Sequence, residues 1–294
     1  MKIRISAGQR VFNITNTVFL ILLSLVMVYP MWHVLCSSLS VDSKLLAHNG
    51  ILLVPRGFSL AAYKMAFRNN MIVRSYLNTA FLVVAGVTSN LFMTTLAAYV
   101  LSRKNISWVK PLNKLIIFTM FFSGGLIPTY LLVAKTLHLN NTYLALILPS
   151  LVNTYNLMIM RSSFMEIPDS LIESAMLDGS SQFRIIMTIV VPLSKAVMSV
   201  MVLYYAVSHW NSWFWASIYL TKRKLFPLQL VLREILISND TASMSQGTGF
   251  SDQVSVGETI KYAIIVIATV PILCIYPFLQ KYFVQGVMIG AVKG

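Results

Sequence analysis

The chain has 294 residues, of which 57% are hydrophobic and only 11% are charged, and its mean hydropathy is +0.73. Because charged residues make up about a quarter of an ordinary soluble domain, this composition excludes such a domain as the first interpretation and indicates a membrane protein. The net charge of +14 would favour nucleic-acid binding in a soluble protein. Here the basic residues lie between long apolar runs, so orientation in a bilayer explains them better.

Six apolar segments are long enough to cross a bilayer, since a spanning helix needs about 20 mostly apolar residues. In chain order they are Phe12–Leu35, Ser75–Leu101, Leu112–Ala134, Thr142–Ser162, Val197–Leu220 and Thr259–Tyr282. The first segment follows Lys2, Arg4 and Arg10 without a small-residue cleavage site behind it, which indicates an uncleaved anchor. We therefore predict an all-α polytopic membrane protein with about six transmembrane helices in one domain over residues 1–294.

The distribution of lysine and arginine between these segments predicts the orientation of the chain. The basic N-terminus is expected in the cytoplasm, as is the link after the second segment, which carries four basic residues from Arg103 to Lys114. The link at 135–141 is nearly free of charge and is expected outside. Six crossings return the C-terminus to the cytoplasm and leave two long external segments, about 37–74 and 221–258.

A polar stretch between the fourth and fifth segments, about 164–195, is predicted to form two short helices. Pro168 suits a first helical turn because its missing N–H costs nothing there, and apolar residues follow at helical spacing beside acidic ones. Gly179 can adopt a left-handed conformation that ends the first helix, and Ser180 or Ser181 can cap the second. Physics alone allows either a docking element for another protein or an amphipathic connector at the lipid interface.

The same stretch carries a defined residue pattern. Glu173-Ser174-Ala175 is followed after two residues by Asp178-Gly179-Ser180, and later by Phe183, Ile189 and Pro192-Leu193. This pattern resembles the cytoplasmic coupling loop of ABC importer permeases, which has Glu-Ala-Ala, two residues, Asp-Gly-Ala and a later Pro-Leu. Ser174 and Ser180 replace alanines of that pattern, but both are small enough to preserve helix packing.

Further stretches extend the resemblance over nearly the whole chain. They are Phe122–Tyr130, His209–Trp215 and Lys281–Gly286. Together they look like the permeases of carbohydrate importers, the maltose-type inner-membrane components, and specifically the branch for complex oligo- and polysaccharides, including alginate-type systems. The resemblance implies a subunit that forms half of the translocation pathway for a saccharide, including an acidic, alginate-like one.

The resemblance also implies a non-catalytic, multi-pass subunit of a bacterial plasma (inner) membrane. Its implied partners are a homologous permease, two copies of an ATPase and an extracytoplasmic solute-binding protein. ATP and Mg²⁺ would bind the ATPase, because this chain has no Gly-x-x-x-x-Gly-Lys-Ser/Thr loop. We expect no cofactor, metal site or nucleic-acid partner for the chain itself. The residues implied to transmit the motion of the ATPase are Glu173, Ser174, Ala175, Asp178, Gly179 and Phe183.

Polar and aromatic residues within the predicted spans are candidates for the substrate pathway, because polar groups in a bilayer are costly and commonly functional. Tyr205, His209 and Ser212 recur at helical spacing on one face of the fifth segment. Aromatic faces fit sugar rings, and amide, imidazole and phenol groups fit sugar hydroxyls. The alternatives are interfacial anchoring of Trp and Tyr and hydrogen bonds between helices. The candidates are His209, Trp210, Asn211, Trp213, Tyr205, Asn153 and Asn156.

The two external segments carry more basic than acidic residues. This field would attract an acidic saccharide, and it equally suits the acidic surface of a binding protein or lipid headgroups. Two other function classes stay open. One is an ABC importer permease for a non-sugar solute, and the other is an ion-coupled secondary transporter. The predicted spans contain no Asp or Glu, which argues against the second class.

Overall fold

The computed structural model describes residues 7–238 and 257–291. Over these residues the chain is helical and has no β-strand, only an isolated bridge between Ser40 and Phe58. The all-α prediction is confirmed. The helices are α1 Ala7–Ser38, α2 Asp42–Leu46, α3 Ala61–Arg68, α4 Asn70–Ser102, α5 Val109–Phe121, α6 Leu126–Tyr130, α7 Leu144–Ile147, α8 Thr154–Phe164, α9 Asp169–Leu177, α10 Gln182–Ile185, α11 Val191–Leu193, α12 Lys195–Trp210, α13 Trp213–Tyr219, α14 Leu228–Ser238 and α15 Gly257–Ala291.

The described residues divide into two compact units. The first contains the chain up to Asn70 together with the described part of Ile235–Thr269, and the second contains Met71–Glu234 and the chain from Val270. The first unit therefore holds α1, α2, α3 and the first part of α15. The second holds most of α4, all of α5 to α13, the links between them and the first part of α14, and it contains every candidate site residue named above. The expectation of one transmembrane domain stays a prediction.

In the first unit, α1 exposes apolar side chains along almost its whole length. None of its most apolar 18-residue window is buried within the structure, as expected of a helix whose surroundings are lipid.

The turn after α1 is held by side chains. Trp32 Nε1 donates to the carbonyl of Leu53 over 2.8 Å. The buried carboxylate of Asp42 accepts from the Thr259 amide over 3.0 Å, which places a negative charge at the N-terminus of α15.

The number of membrane-spanning helices is close to the predicted number of about six. Several of the predicted spans, however, are interrupted in the structure. Among the described residues, Gly8–Ser38 and Asn70–Ser102 are each long and apolar enough to cross a membrane, and counting each of three bent pairs as one span raises the number to five. The pairs are Val109–Phe121 with Leu126–Thr136, bent by 112°, Leu144–Ser150 with Thr154–Phe164, bent by 49°, and Gln182–Leu193 with Lys195–Trp210, bent by 90°. The sixth predicted segment coincides with a shorter apolar helix, Thr259–Ile275.

Local residue chemistry explains why these segments break. Gly125 has φ of +84°, a value that favours glycine, and it separates α5 from α6. Asn153 caps α8 through its Oδ1, which accepts from the Asn156 amide over 3.1 Å. The fifth predicted segment is also interrupted, because α12 ends at Trp210 and α13 begins at Trp213. The predicted common helical face is therefore wrong beyond residue 210.

The hydrophobic core of the second unit lies where α4, α8 and α12 meet the segment 164–195. Its fully buried members are Ala98, Met160, Phe164, Ile172, Ile185, Val190 and Met201. Burial of apolar area stabilises a fold by about 25 cal/mol per Å². The polar stretch is therefore packed firmly onto the ends of three long helices.

Candidate functional site

The end of α9 is fixed by two backbone hydrogen bonds. The amide of Gly179 donates to the carbonyl of Met176 over 3.0 Å, and the amide of Ser180 donates to the carbonyl of Ala175 over 2.9 Å. This pair of bonds is the Schellman motif, which requires a left-handed residue between them. Gly179 supplies it with φ of +77°. The predicted role of Gly179 as the end of the first helix is confirmed.

The second short helix begins at once. The hydroxyl of Ser181 accepts from the Arg184 amide over 3.4 Å, so Ser181 is the N-cap, a position at which serine is preferred. The side chain of Gln182 is also held, because the hydroxyl of Tyr99 donates to its Oε1 over 2.6 Å. Tyr99 belongs to α4, so this bond ties the turn to the end of a long helix.

Two arginines complete the attachment to the end of α4. Arg103 Nη1 lies 3.5 Å from Asp169 Oδ1 at the start of α9, and its guanidinium carbon lies 4.9 Å from the centre of the Tyr99 ring. Arg161 Nε donates to the Leu101 carbonyl over 2.9 Å, which links the end of α8 to the end of α4. The turn is therefore held in one orientation.

The outward face of this turn carries most of the residues implied for coupling. Those exposed are Glu173, Ser174, Asp178, Gly179 and Phe183. Ala175 faces inward and is 9% exposed, next to the buried Ile172. Leu177 is 90% exposed, although a leucine in a firmly packed helix normally faces the core. Sequence reasoning does not identify Leu177, although an apolar side chain on the polar face of the predicted helix is a signal for it.

At the other end of the second unit, a cavity of about 720 Å³ lies between α4, α8, α12 and the break before α8. Four predicted pathway residues line it, namely Asn153, Asn156, Tyr205 and His209. The other polar lining residues are Asn90, Ser150, Thr154, Tyr155, Tyr204 and Ser208. Every lining residue is electrically neutral if His209 is unprotonated. The cavity therefore presents amide, hydroxyl, phenol and imidazole groups.

A buried hydrogen-bond network organises the wall of the cavity. Asn90 Nδ2 donates to the carbonyls of Ser150 and Leu151. This fixes the orientation of the amide, because only its NH₂ group can donate. Asn90 Oδ1 then accepts from His209 Nε2 over 2.7 Å. The hydroxyls of Thr94 and Tyr205 are hydrogen-bonded over 2.7 Å. Asn90 and Thr94 thus position the two main cavity residues of α12.

Gly86 permits this arrangement. A Cβ atom at that position would overlap the imidazole of His209, so α12 approaches α4 closely only because residue 86 has no side chain. Gly86, Asn90 and Thr94 are spaced by four and share one face of α4. Sequence reasoning missed all three. The signal was present, since Asn90 is a strongly polar residue in the middle of a predicted span.

Three further candidates do not line the cavity. Trp210 is 8% exposed and packs edge-on against Tyr76, with ring centres 5.7 Å apart. Asn211 is exposed at the end of α12. Trp213 is 37% exposed and lies under the guanidinium of Arg233, which is 4.6 Å from its ring centre. Trp210 lies within α12 but faces Tyr76, and the interruption at residues 211–212 separates Asn211 and Trp213 from the cavity-lining face.

The turn and the cavity are joined by two helices that pack against each other. The chain enters the turn from the end of α8 and leaves it into α12. The start of α8, capped by Asn153, lines the cavity, and so does the last part of α12 around Tyr205 and His209. α8 and α12 are in direct contact. The segment 164–195 is therefore the distal end of a helical hairpin whose other end lines the cavity.

Comparison with known proteins agrees with this architecture. The chain is 40% identical over 291 residues, 97% of this chain and 99% of the relative, to the polygalacturonan/rhamnogalacturonan transport system permease protein YtcP of Bacillus subtilis. It is also 40% identical to Protein LplC of the same species, over 97% of this chain and 96% of that protein. The chain belongs to the carbohydrate ABC importer permeases. No family model matches it.

A solved structure has the same fold as this permease. It is the crystal structure of a bacterial ABC transporter involved in the import of the acidic polysaccharide alginate. The TM-score is 0.86 at 30% sequence identity, covering 95% of this chain and 98% of that chain. As a member of this family, the permease is an integral inner-membrane protein and a transport subunit of an ABC importer. The resemblance inferred from the coupling-loop pattern is confirmed.

Proposed function

We propose that this permease forms half of the translocation pathway for an acidic oligo- or polysaccharide and couples transport to a separate ATPase. A homologous permease completes the pathway, and an extracytoplasmic binding protein delivers the substrate. ATP and Mg²⁺ bind the two ATPase subunits. The observation that carries this proposal is the helical hairpin of α8 and α12, which connects the exposed turn to the polar cavity.

The hairpin gives a physical route for coupling. α12 has 16 residues and is roughly 24 Å long at 1.5 Å per residue. A packed helix pair of this length moves as a rigid element, so a displacement of the turn reaches the cavity. Closure of the ATPases on ATP would draw the turn with it and favour one of two arrangements of the cavity. Hydrolysis would release this bias.

The exposed face of the turn is the proposed contact with the ATPase. It combines the carboxylates of Glu173 and Asp178 with the apolar side chains of Leu177 and Phe183. A mixed polar and apolar surface on a short rigid helix is suited to a groove on a second protein. The interior anchors at Ile172 and Ala175 make the helix part of the core and not a free tether.

The chemistry of the cavity lining supports a saccharide as the substrate class. Its amide and hydroxyl groups match sugar hydroxyls as donors and acceptors, and its tyrosine rings match the apolar faces of sugar rings. The relative YtcP is named for polygalacturonan, a polymer of a uronic acid, and the solved structure concerns alginate, an acidic polysaccharide. We therefore assign this permease an acidic saccharide as substrate. The cavity lining has no Asp or Glu that could form the carboxylate relay of a proton-coupled transporter.

We further propose that both termini and the segment 164–195 lie in the cytoplasm. The external segments 37–74 and 221–258 would then receive the binding protein. In the second of these, residues 239–256 lie outside those that the structure describes. The loop 221–228 is well held, since Asn141 Oδ1 accepts from the amides of Thr221 and Lys222 over 2.7 and 3.0 Å.

The test is a matched pair of substitutions at Gly179. Asn and Asp have the same shape and both tolerate a left-handed conformation, and the space around Gly179 is open. Gly179→Asn and Gly179→Asp therefore differ by one negative charge on the exposed face. We expect Gly179→Asp to lower saccharide-stimulated ATPase activity in proteoliposomes at least tenfold relative to Gly179→Asn, with equal membrane insertion.

Deletion of Glu173–Gly179 should abolish association with the ATPase. Normal uptake by the deletion variant would contradict the coupling proposal. Uptake that follows an ion gradient without an ATPase would instead assign the permease to the secondary transporters. Uptake of a polyol, phosphodiester or peptide that no saccharide competes with would overturn the substrate class alone.

A further inference from the structure

Trp213 and Arg233 form an exposed aromatic–cation pair in the second unit. Arg233 lies on α14, and its guanidinium carbon is 4.6 Å from the centre of the Trp213 ring, within the range of a cation–π contact. Trp213 opens α13, directly after the interruption at the end of α12. Both side chains remain accessible, because Trp213 is 37% exposed and Arg233 is exposed.

The charge of Arg233 is not neutralised within the described part of the chain. No carboxylate of the described residues lies within ion-pair distance of it, whereas Arg223 Nη2 lies 3.8 Å from Oε2 of Glu234, the residue next to Arg233. A guanidinium placed over the face of an indole can still donate its N–H groups to a further partner. An oriented, unpaired guanidinium is well suited to a carboxylate, which it binds through two parallel hydrogen bonds.

The pair also supplies what the cavity lacks. The cavity lining contains neither lysine nor arginine, so it provides no fixed cation for the carboxylates of an acidic saccharide. Trp213 follows the lining residues Ser208 and His209 by only a few residues along the chain. Two more exposed rings, Phe214 and Trp215, stand beside it. Aromatic rings of this kind stack on the apolar faces of sugars.

We propose that Trp213 and Arg233 form a binding site for a uronate residue of the saccharide, in addition to the neutral cavity. The indole supports the apolar face of the pyranose ring, and the guanidinium binds its carboxylate. The cavity then recognises hydroxyl groups, and the Trp213–Arg233 pair recognises charge. This inference rests on the proposed function as an acidic-saccharide importer permease and names the residues that select the acidic form.

The experiment uses the full importer in proteoliposomes with saturating loaded binding protein, so that docking affinity does not limit the rate. Uptake is measured for oligogalacturonate and for its methyl ester, which keeps the ring and removes the charge. Arg233→Gln removes the guanidinium. Lys135→Gln removes an exposed cation outside the two segments proposed to receive the binding protein, and it serves as the matched control. Arg233→Lys keeps the charge without the planar fork, and Trp213→Phe keeps a smaller ring.

We expect Arg233→Gln to lower the uptake rate of oligogalacturonate roughly 10- to 100-fold, as for loss of a charge-assisted hydrogen bond, and to leave the ester at the wild-type rate. Lys135→Gln should change neither uptake rate, and the rate of Arg233→Lys should fall between those of Arg233→Gln and the wild type. Equal loss for both oligomers, or no loss for either, would overturn this inference. A wild-type importer that transports no saccharide would overturn the proposed function itself.

Discussion

The turn between α9 and α10 and the polar cavity are built in opposite ways. In the turn, Gly179 and Ser181 make hydrogen bonds to residues three positions away, so the geometry is local. In the cavity, His209 bonds to Asn90, 119 positions away, and Tyr205 bonds to Thr94, 111 positions away. The turn exposes its functional side chains, whereas the central cavity network is buried.

This difference indicates where each region is vulnerable. Loss of one local hydrogen bond in the turn leaves an exposed group that water can satisfy. Loss of one partner in the cavity leaves a buried polar group, such as the His209 imidazole, without a partner, and this costs far more than the bond itself contributed. We therefore expect substitutions in the cavity to destabilise the protein, and substitutions on the exposed face of the turn to uncouple it without destabilising it.

The largest effect is expected for Asn90→Leu. Leucine has a similar size but cannot bond, so the carbonyls of Ser150 and Leu151 lose a donor, and the buried imidazole of His209 loses its partner at about 1–3 kcal/mol. The thermal unfolding temperature in detergent should drop sharply. The control is Asn78→Leu on the same helix, because Asn78 also donates to two carbonyls, those of Lys224 and Phe226, but is only half-buried. Equal losses in the two variants would contradict the comparison.

Gly86→Ala should have the next largest effect. The new Cβ overlaps the His209 ring, and overpacking of this kind costs about 1–3 kcal/mol. The control is Gly124→Ala, where the nearest atom, Pro128 Cβ, lies 3.8 Å from the added carbon. The double variant with His209→Ala should recover part of the lost stability, as a double-mutant cycle would measure. Additive losses would show that the overlap is not the cause.

A smaller and local effect is expected for Ser181→Ala. Removal of an N-cap typically costs about 1 kcal/mol, and here it affects only the short helix Gln182–Ile185. Amide hydrogen exchange should accelerate in that helix and stay unchanged around the cavity. Ser180→Ala is the matched control, since the Ser181 hydroxyl is the one that accepts from Arg184. Faster exchange in the Ser180 variant would show that Ser180, and not Ser181, caps this helix.

Leu177→Ser should have the smallest effect on stability and still impair function. The side chain is 90% exposed, so the unfolding temperature should change little, in line with the roughly 0.5 kcal/mol limit typical of surface substitutions. Saccharide-stimulated ATPase activity should fall about tenfold if this side chain contacts the ATPase, as interface anchors do. Leu171→Ser, on another face of α9, serves as control. Unchanged activity in the Leu177 variant would remove it from the docking face.

The sequence alone was sufficient for the geometry of the turn between α9 and α10, because its determinants are adjacent in the chain. Gly179 ends a helix through its own backbone freedom, and Ser181 caps the next through a bond to residue 184. The membrane class and the permease family followed equally directly from composition and a contiguous motif. These properties depend on hydrophobicity, helix capping and residue spacing, which can be evaluated without knowing the fold.

Only the tertiary structure decided which polar residues form the cavity. Tyr205, His209, Asn153 and Asn156 were identified from their cost within a span, but Asn90 and Gly86 were not, because their importance arises from contact with a residue more than a hundred positions away. The sequence also could not place the interruption after Trp210, since apolar residues continue on both sides of it. The hydrophobic periodicity of a sequence indicates which face of one helix is buried. Helix breaks and the partners of buried hydrogen-bonding groups depend instead on packing between segments that are distant in the chain.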